Sequence, residues 1–102
     1  MALQKAMQVS AVPPGTMATA KLGRQEVMIA NVDGTFFAID EICTHEGGPL
    51  HEGILDGYTV TCPWHEGQYD VRTGESNPET DWVRDTPSFR TEVKDGYVWV
   101  DV

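Results

Sequence analysis

Four residues of this chain have the types and spacing to do chemistry: Cys43, His45, Cys62 and His65. They sit in two matched arms, Cys43-Thr44-His45-Glu46-Gly47-Gly48-Pro49-Leu50 and Cys62-Pro63-Trp64-His65-Glu66-Gly67. Each arm supplies one thiol and one imidazole, one or two residues apart, and then glycine. Residues 46 to 61, sixteen in all, separate His45 from Cys62. Thiolate and imidazole are both good ligands for transition metals, so the pattern asks for a metal centre with two of each.

Two centres compete for that ligand set. A structural zinc ion accepts Cys2His2 in a tetrahedron, but zinc patterns usually pair like with like on each arm. Here each arm mixes the two types. A Cys and a His this close can face one metal only through a strained loop; they face two adjacent metals more easily. A [2Fe-2S] cluster with both thiolates on one iron and both imidazoles on the other provides this. Gly47, Gly48 and Gly67 would let backbone pass close to the cluster and offer N–H donors to its sulfurs.

The elements that must hold the arms read as all-β. Short β-type runs alternate with Gly, Pro and Asp-Gly punctuation, and no 3.6-residue periodicity persists for a helical length. Expected strands are Gln4 to Val9, Thr16 to Leu22, Gln25 to Asn31, Thr35 to Ile39, Gly53 to Leu55, Tyr58 to Cys62, Tyr69 to Val71, Ser88 to Lys94 and Tyr97 to Asp101. Turns are expected at Val12-Pro13-Pro14-Gly15, Gly23-Arg24, Asp33-Gly34, Asp56-Gly57, Thr73-Gly74 and Asp95-Gly96. Glu75 to Thr86 is the longest irregular stretch. The plain core is expected at Val27, Ile29, Phe37, Ile39, Val60, Phe89, Val93, Val98 and Val100. Many short strands with tight turns imply a sandwich or small barrel.

The chain has 102 residues, enough for one domain with a modest core that a metal centre could help fix. Residues 1–102 are therefore read as one domain, with cluster-binding loops at about 41–52 and 62–70. Two cysteines, each beside a histidine, favour metal over a disulfide. Met1 to Ser10 carries Lys5 and no apolar stretch of signal-peptide length, and no apolar run is long enough for a span. The expected setting is the cytoplasm, the expected state a monomer.

A net charge of −9 argues against nucleic acid as a partner. Its distribution is more informative. From Asp40 to Asp70 the chain places Asp40, Glu41, Glu46, Glu52, Asp56, Glu66 and Asp70, with no Lys or Arg. This is either a solvated acidic surface or a docking face for a partner with a basic patch.

Cys-x-His, sixteen residues, Cys-x-x-His resembles the Rieske iron–sulfur family. The match extends through Glu52-Gly53-Ile54-Leu55-Asp56-Gly57 and Asp70-Val71-x-Thr73-Gly74, and is narrowest to small soluble Rieske-type ferredoxins of the oxygenase-component type. The resemblance implies antiparallel sheets with a small cluster-binding subdomain. It implies one [2Fe-2S] cluster per chain, bound by Cys43, His45, Cys62 and His65. It also implies a third, proline-containing loop over the cluster, for which Glu75 to Thr86 with Pro78 is the candidate; the alternative is a plain solvent loop.

The departures matter. Respiratory Rieske proteins carry two further cysteines in a disulfide, where Gly48 and Trp64 stand here. Their serine donor to a cluster sulfur is replaced by Gly67. Their tyrosine is matched by Tyr69, kept either as a donor or for packing alone. Rieske potentials span roughly −150 to +300 mV, and the acidic loops and missing donor place this chain toward the low end. Trp64, between two ligands, either shields the cluster, contacts a partner or simply packs.

The implied function is a one-electron carrier between a reductase, flavin-dependent by resemblance, and a terminal oxygenase or similar enzyme, docking near His45 and His65. The chain itself is not expected to be an enzyme. A mononuclear oxygenase iron needs two histidines and a carboxylate, and only His51 remains of three. His51 is read as a surface residue at the cluster rim. The alternatives are a small Rieske subunit of a complex such as nitrite reductase, and a zinc-stabilised interaction module.

Overall fold

A computed structural model describes residues 2–44, 47–64 and 66–102. Ten strands among these residues form three antiparallel sheets. The central sheet joins β2 (Met17–Leu22), β3 (Gln25–Val32), β4 (Thr35–Asp40) and β8 (Ser88–Phe89). On one side lies the sheet of β1 (Leu3–Gln8), β10 (Tyr97–Asp101) and β9 (Thr91–Lys94). On the other lies a small sheet of β5 (Ile54–Asp56), β6 (Thr59–Thr61) and β7 (Gln68–Asp70). Among the described residues no helix is long and apolar enough to cross a membrane.

β3 explains why the layers stack this way. Successive side chains of a strand point to opposite faces, and β3 is apolar on both. Val27 and Ile29 join one hydrophobic cluster with Phe36, Ala38, Val98 and Val100. Met28, Ala30 and Val32 join the other with Ile39, Leu50, Val60, Tyr69, Val71, Val83 and both cysteines. The middle sheet is thus buried on both faces, and the two candidate cysteine ligands belong to the core on its far side.

Turn chemistry sets the register. Asp33 and Gly34 have φ of 52° and 91°, and Asp95 and Gly96 have φ of 56° and 78°. Positive φ at both central residues is the type I′ geometry whose twist matches the flanking strands. The expected Asp56-Gly57 turn is displaced by one residue. Asp56 pairs with Thr59, so the two-residue loop is Gly57-Tyr58, with Gly57 at φ 57°.

Two expectations about the final strands fail. Ser88 to Lys94 was expected as a single strand, but it breaks at Arg90 and changes sheets. Ser88–Phe89 pairs with β4, whereas Thr91–Lys94 pairs with β10. Val93, opposite the buried Val98 but on the edge strand β9, is 57% exposed and not core. Phe36 is buried in one cluster while Phe37 only packs against the other.

β4 and β8 are neighbours, through Ala38↔Phe89 and Ile39↔Ser88, and Asp40 N–H donates to the Pro87 carbonyl at 3.1 Å. Segment 41–87, which carries both arms, leaves and re-enters the central sheet at this one place.

Candidate metal centre

The two arms are built alike. Cys43 N–H donates to the Gly48 carbonyl at 2.9 Å, and Cys62 N–H to the Gly67 carbonyl at 2.7 Å. Each cysteine thus closes a loop on the residue five positions later. The residue four positions after each cysteine is left-handed in both loops, Gly47 at φ 76° and Glu66 at φ 60°. His45, Glu46 and His65 lie outside the described residues. Cys43 and Cys62 are the described part of the candidate set, and among the described residues no further group of His, Cys, Asp or Glu forms a metal cluster.

Both thiols are buried and free of a disulfide, and they approach closely enough to interact. Burial pushes the Cys62 thiol up to about 11, with the neighbouring Cys43 adding to the rise and the Trp64 N–H opposing it. Two thiols held together in an apolar setting resist ionisation unless a cation compensates them. That is the chemistry of a metal-binding pair.

Donors converge on their sulfurs. Trp64 N–H points at Cys62 Sγ at 3.4 Å. The Tyr69 hydroxyl lies 3.3 Å from Cys43 Sγ and 2.9 Å from Thr44 Oγ1. It accepts from Thr44 N–H at 3.0 Å. Thr44 Oγ1 donates to the Arg84 carbonyl at 3.1 Å and accepts from Arg84 N–H at 2.8 Å. The threonine proton is thereby committed to Arg84, leaving Tyr69 to supply the proton in its own contacts. A thiolate at Cys43 draws that proton to sulfur. Packing is therefore only part of the role of Tyr69. Burial first, and the bond to Cys43 second, push its hydroxyl up to about 12.

The third loop reaches the site, but not through its proline. Pro78 is exposed and lines a shallow polar depression with Thr59, Asp70 and Asn77. The contact comes from Val83, 6% exposed and in the same apolar cluster as both cysteines, and from Arg84 on Thr44. The loop's neck is held by Thr86 N–H on the Gly74 carbonyl at 2.8 Å and by Ser76 on Asp85 at 2.8 and 2.9 Å.

Two glycines of the arms, Gly48 and Gly67, are dictated by space. A Cβ on Gly48 would stand 2.7 Å from Cys62 Sγ and 3.1 Å from Trp64 Cγ. A Cβ on Gly67 would stand 2.5 Å from Val83 Cγ1. Trp64 packs its stem over Gly48 yet remains 49% exposed, so it both packs and faces outward. Ile42 and Trp82 are exposed as well.

His51 stays partly exposed but is also tied inward. It is half-buried, and its ring Nδ1 is hydrogen-bonded to Glu41, a carboxylate only 2% exposed. Burial raises the Glu41 carboxyl, while the bonds from His51 pull it back down. No sequence signal marked Glu41 apart from the other acids.

The model of the Rieske [2Fe-2S] domain matches residues 2–89. The chain belongs to the Rieske family. It is 46% identical over 76 residues to the biphenyl dioxygenase ferredoxin subunit of Pseudomonas sp. (strain KKS102), a match covering 74% of this chain and 70% of that relative. It is 36% identical over 101 residues to ferredoxin CarAc of Metapseudomonas resinovorans, covering 94% and 90%. A chain of the solved complex of reduced oxygenase and oxidised ferredoxin in carbazole 1,9a-dioxygenase superposes with a TM-score of 0.86 at 32% identity, covering 96% of this chain and 91% of that one. The cofactor of this Rieske chain is a [2Fe-2S] cluster, and the pair of buried thiols with donors aimed at their sulfurs fits it. The zinc alternative falls away with family membership.

Proposed function

We propose that this Rieske chain is a one-domain ferredoxin that carries single electrons from a flavin-dependent reductase to a terminal oxygenase in the cytoplasm. Cys43 and Cys62 hold one iron and His45 and His65 the other. The observation that carries this reading is the convergence of Cys43 and Cys62, buried side by side at the necks of two loops of the same construction. The relatives named above, one of them in complex with an oxygenase, support the choice of acceptor.

A [2Fe-2S] cluster supplies a one-electron couple whose histidine ligation raises its potential above that of all-cysteine clusters. The chain's residues do the rest. Tyr69 and the Trp64 amide donate to the cysteine sulfurs and so stabilise added negative charge. Val83 and the stem of Trp64 keep water from the thiolates. Trp64 and Ile42 are exposed apolar residues, and Glu52, Asp56 and Glu66 of the acid-only segment are exposed with them. Such a surface steers a partner with basic rim residues, and its effect weakens as salt screens it.

The test is reconstitution. The purified protein is expected to show the visible absorption of a Rieske cluster, and Cys43→Ser or His65→Ala to lose it. Stopped-flow transfer to a dioxygenase terminal component should slow as ionic strength rises. Transfer rates that do not respond to salt would remove the electrostatic part of the reading; a colourless protein with bound zinc would remove all of it.

A further inference from the structure

The two arms share a loop but not a foundation. The Cys62 loop stands on a hairpin, since Thr61 pairs with Gln68 immediately below the Cys62–Gly67 closure. The Cys43 loop has no strand pair beneath it, only the isolated bridge Ile42↔Pro49. Glu41 fills the missing rungs. Its carbonyl accepts Leu50 N–H at 2.8 Å, and its own N–H donates to the Glu26 carbonyl of β3 at 3.1 Å. Its carboxylate accepts His51 N–H at 2.9 Å on Oε1 and engages the His51 ring on Oε2. One residue therefore ties both ends of the first ligand loop to each other and to the central sheet.

We propose that Glu41 is a positioning residue for the cluster: the reach of its side chain to residue 51 sets where the Cys43 arm sits. This rests on the reading of Cys43 as a ligand. Outer contacts of this kind orient ligands and tune the metal they hold. A carboxylate one methylene shorter cannot span to the His51 amide while its backbone keeps the bonds to Leu50 and Glu26. A glutamine can, without the charge.

The experiment uses two near-isosteric variants of the cluster-loaded protein, Glu41→Asp and Glu41→Gln, with Cys43→Ser alongside. Midpoint potential, visible circular dichroism and the rate of cluster loss are measured. Glu41→Asp is expected to shift the potential and the dichroism, and to lose cluster on the order of 10-fold faster. Glu41→Gln is expected to stay close to wild type in all three. A shifted potential in Glu41→Gln with a normal Glu41→Asp overturns the inference in favour of a charge effect. Unshifted potentials and dichroism in both variants, with only their melting temperatures lowered, overturn it in favour of plain scaffolding. Either result, with Cys43→Ser having lost the cluster, leaves the ligand reading standing. A Cys43→Ser protein that keeps its cluster unchanged overturns both.

Discussion

The hydroxyl of Tyr69 lies 3.3 Å from Cys43 Sγ and 2.9 Å from Thr44 Oγ1, whose own O–H donates to the Arg84 carbonyl. A donor aimed at a ligand sulfur stabilises the reduced, more negative cluster. Tyr69→Phe should therefore lower the midpoint potential. Hydrogen bonds to charged groups are worth about 1.5–3 kcal/mol, part of which both redox states share. The expected fall is on the order of 60 mV, a tenfold change in a one-electron couple. Protein-film voltammetry would read it, and an unchanged potential would mean that Tyr69 donates to Thr44 Oγ1 instead of to sulfur.

Gly67 and Val83 make a coupled pair. Serine at 67 would offer a hydroxyl donor, but its Cβ would meet Val83 Cγ1 at 2.5 Å. Gly67→Ser alone should be destabilised by about 1–3 kcal/mol, as overpacked cores are. Adding Val83→Ala should recover part of that. Thermal melts of the single and double variants decide it; additive losses would show that the two positions do not touch in solution.

Glu66 adopts the left-handed conformation that glycine takes at the matching place in the first loop, at φ 60° against 76° for Gly47. A non-glycine residue there is strained by roughly 1–2 kcal/mol. Glu66→Gly should relieve part of that strain, offset by the entropy of glycine in the unfolded chain. The expected outcome is a melting temperature equal to or above wild type, together with a weaker salt dependence of electron transfer. A clear loss of stability would contradict it.

Asp70 holds Arg72 with both carboxylate oxygens, at 3.1 and 2.9 Å, and this bond first of all keeps the Asp70 pKa below its ordinary value. A lowered folded-state pKa stabilises above the unfolded carboxyl value of about 3.9. That contribution is lost as pH falls through the folded value. Asp70→Asn should therefore be less stable than wild type at neutral pH, with the gap closing below about pH 4. Denaturant melts across that range would show it; a gap that widens in acid would reverse the sign.

Much of this was legible because it is local. Asp33-Gly34 and Asp95-Gly96 announce their turns through residues that tolerate positive φ. The mixed arms announce a cluster through ligand chemistry. What sequence could not show is tertiary. Nothing in Ser88 to Lys94 says that the chain changes sheets at Arg90, because both halves have ordinary strand residues and only their partners differ. Pro78 drew attention to the third loop for its ring, yet the loop acts through Val83 and Arg84, an apolar side chain and a backbone with no motif. Glu41 was one acid among seven in its segment. Its burial depends on the closeness of β3 and residue 51, which no spacing rule encodes.

Segment 41–87 starts and finishes at hydrogen-bonded neighbours, with Asp40 on Pro87 and Ile39 across from Ser88. Topologically, the redox half is an excursion from a single hairpin. Its two ends already lie at strand-to-strand distance, so it could be lifted onto another antiparallel pair without rethreading the host. What resists transplantation is the floor beneath it: Met28, Ala30 and Ile39 would have to travel as well, as the apolar underside on which the Rieske half rests.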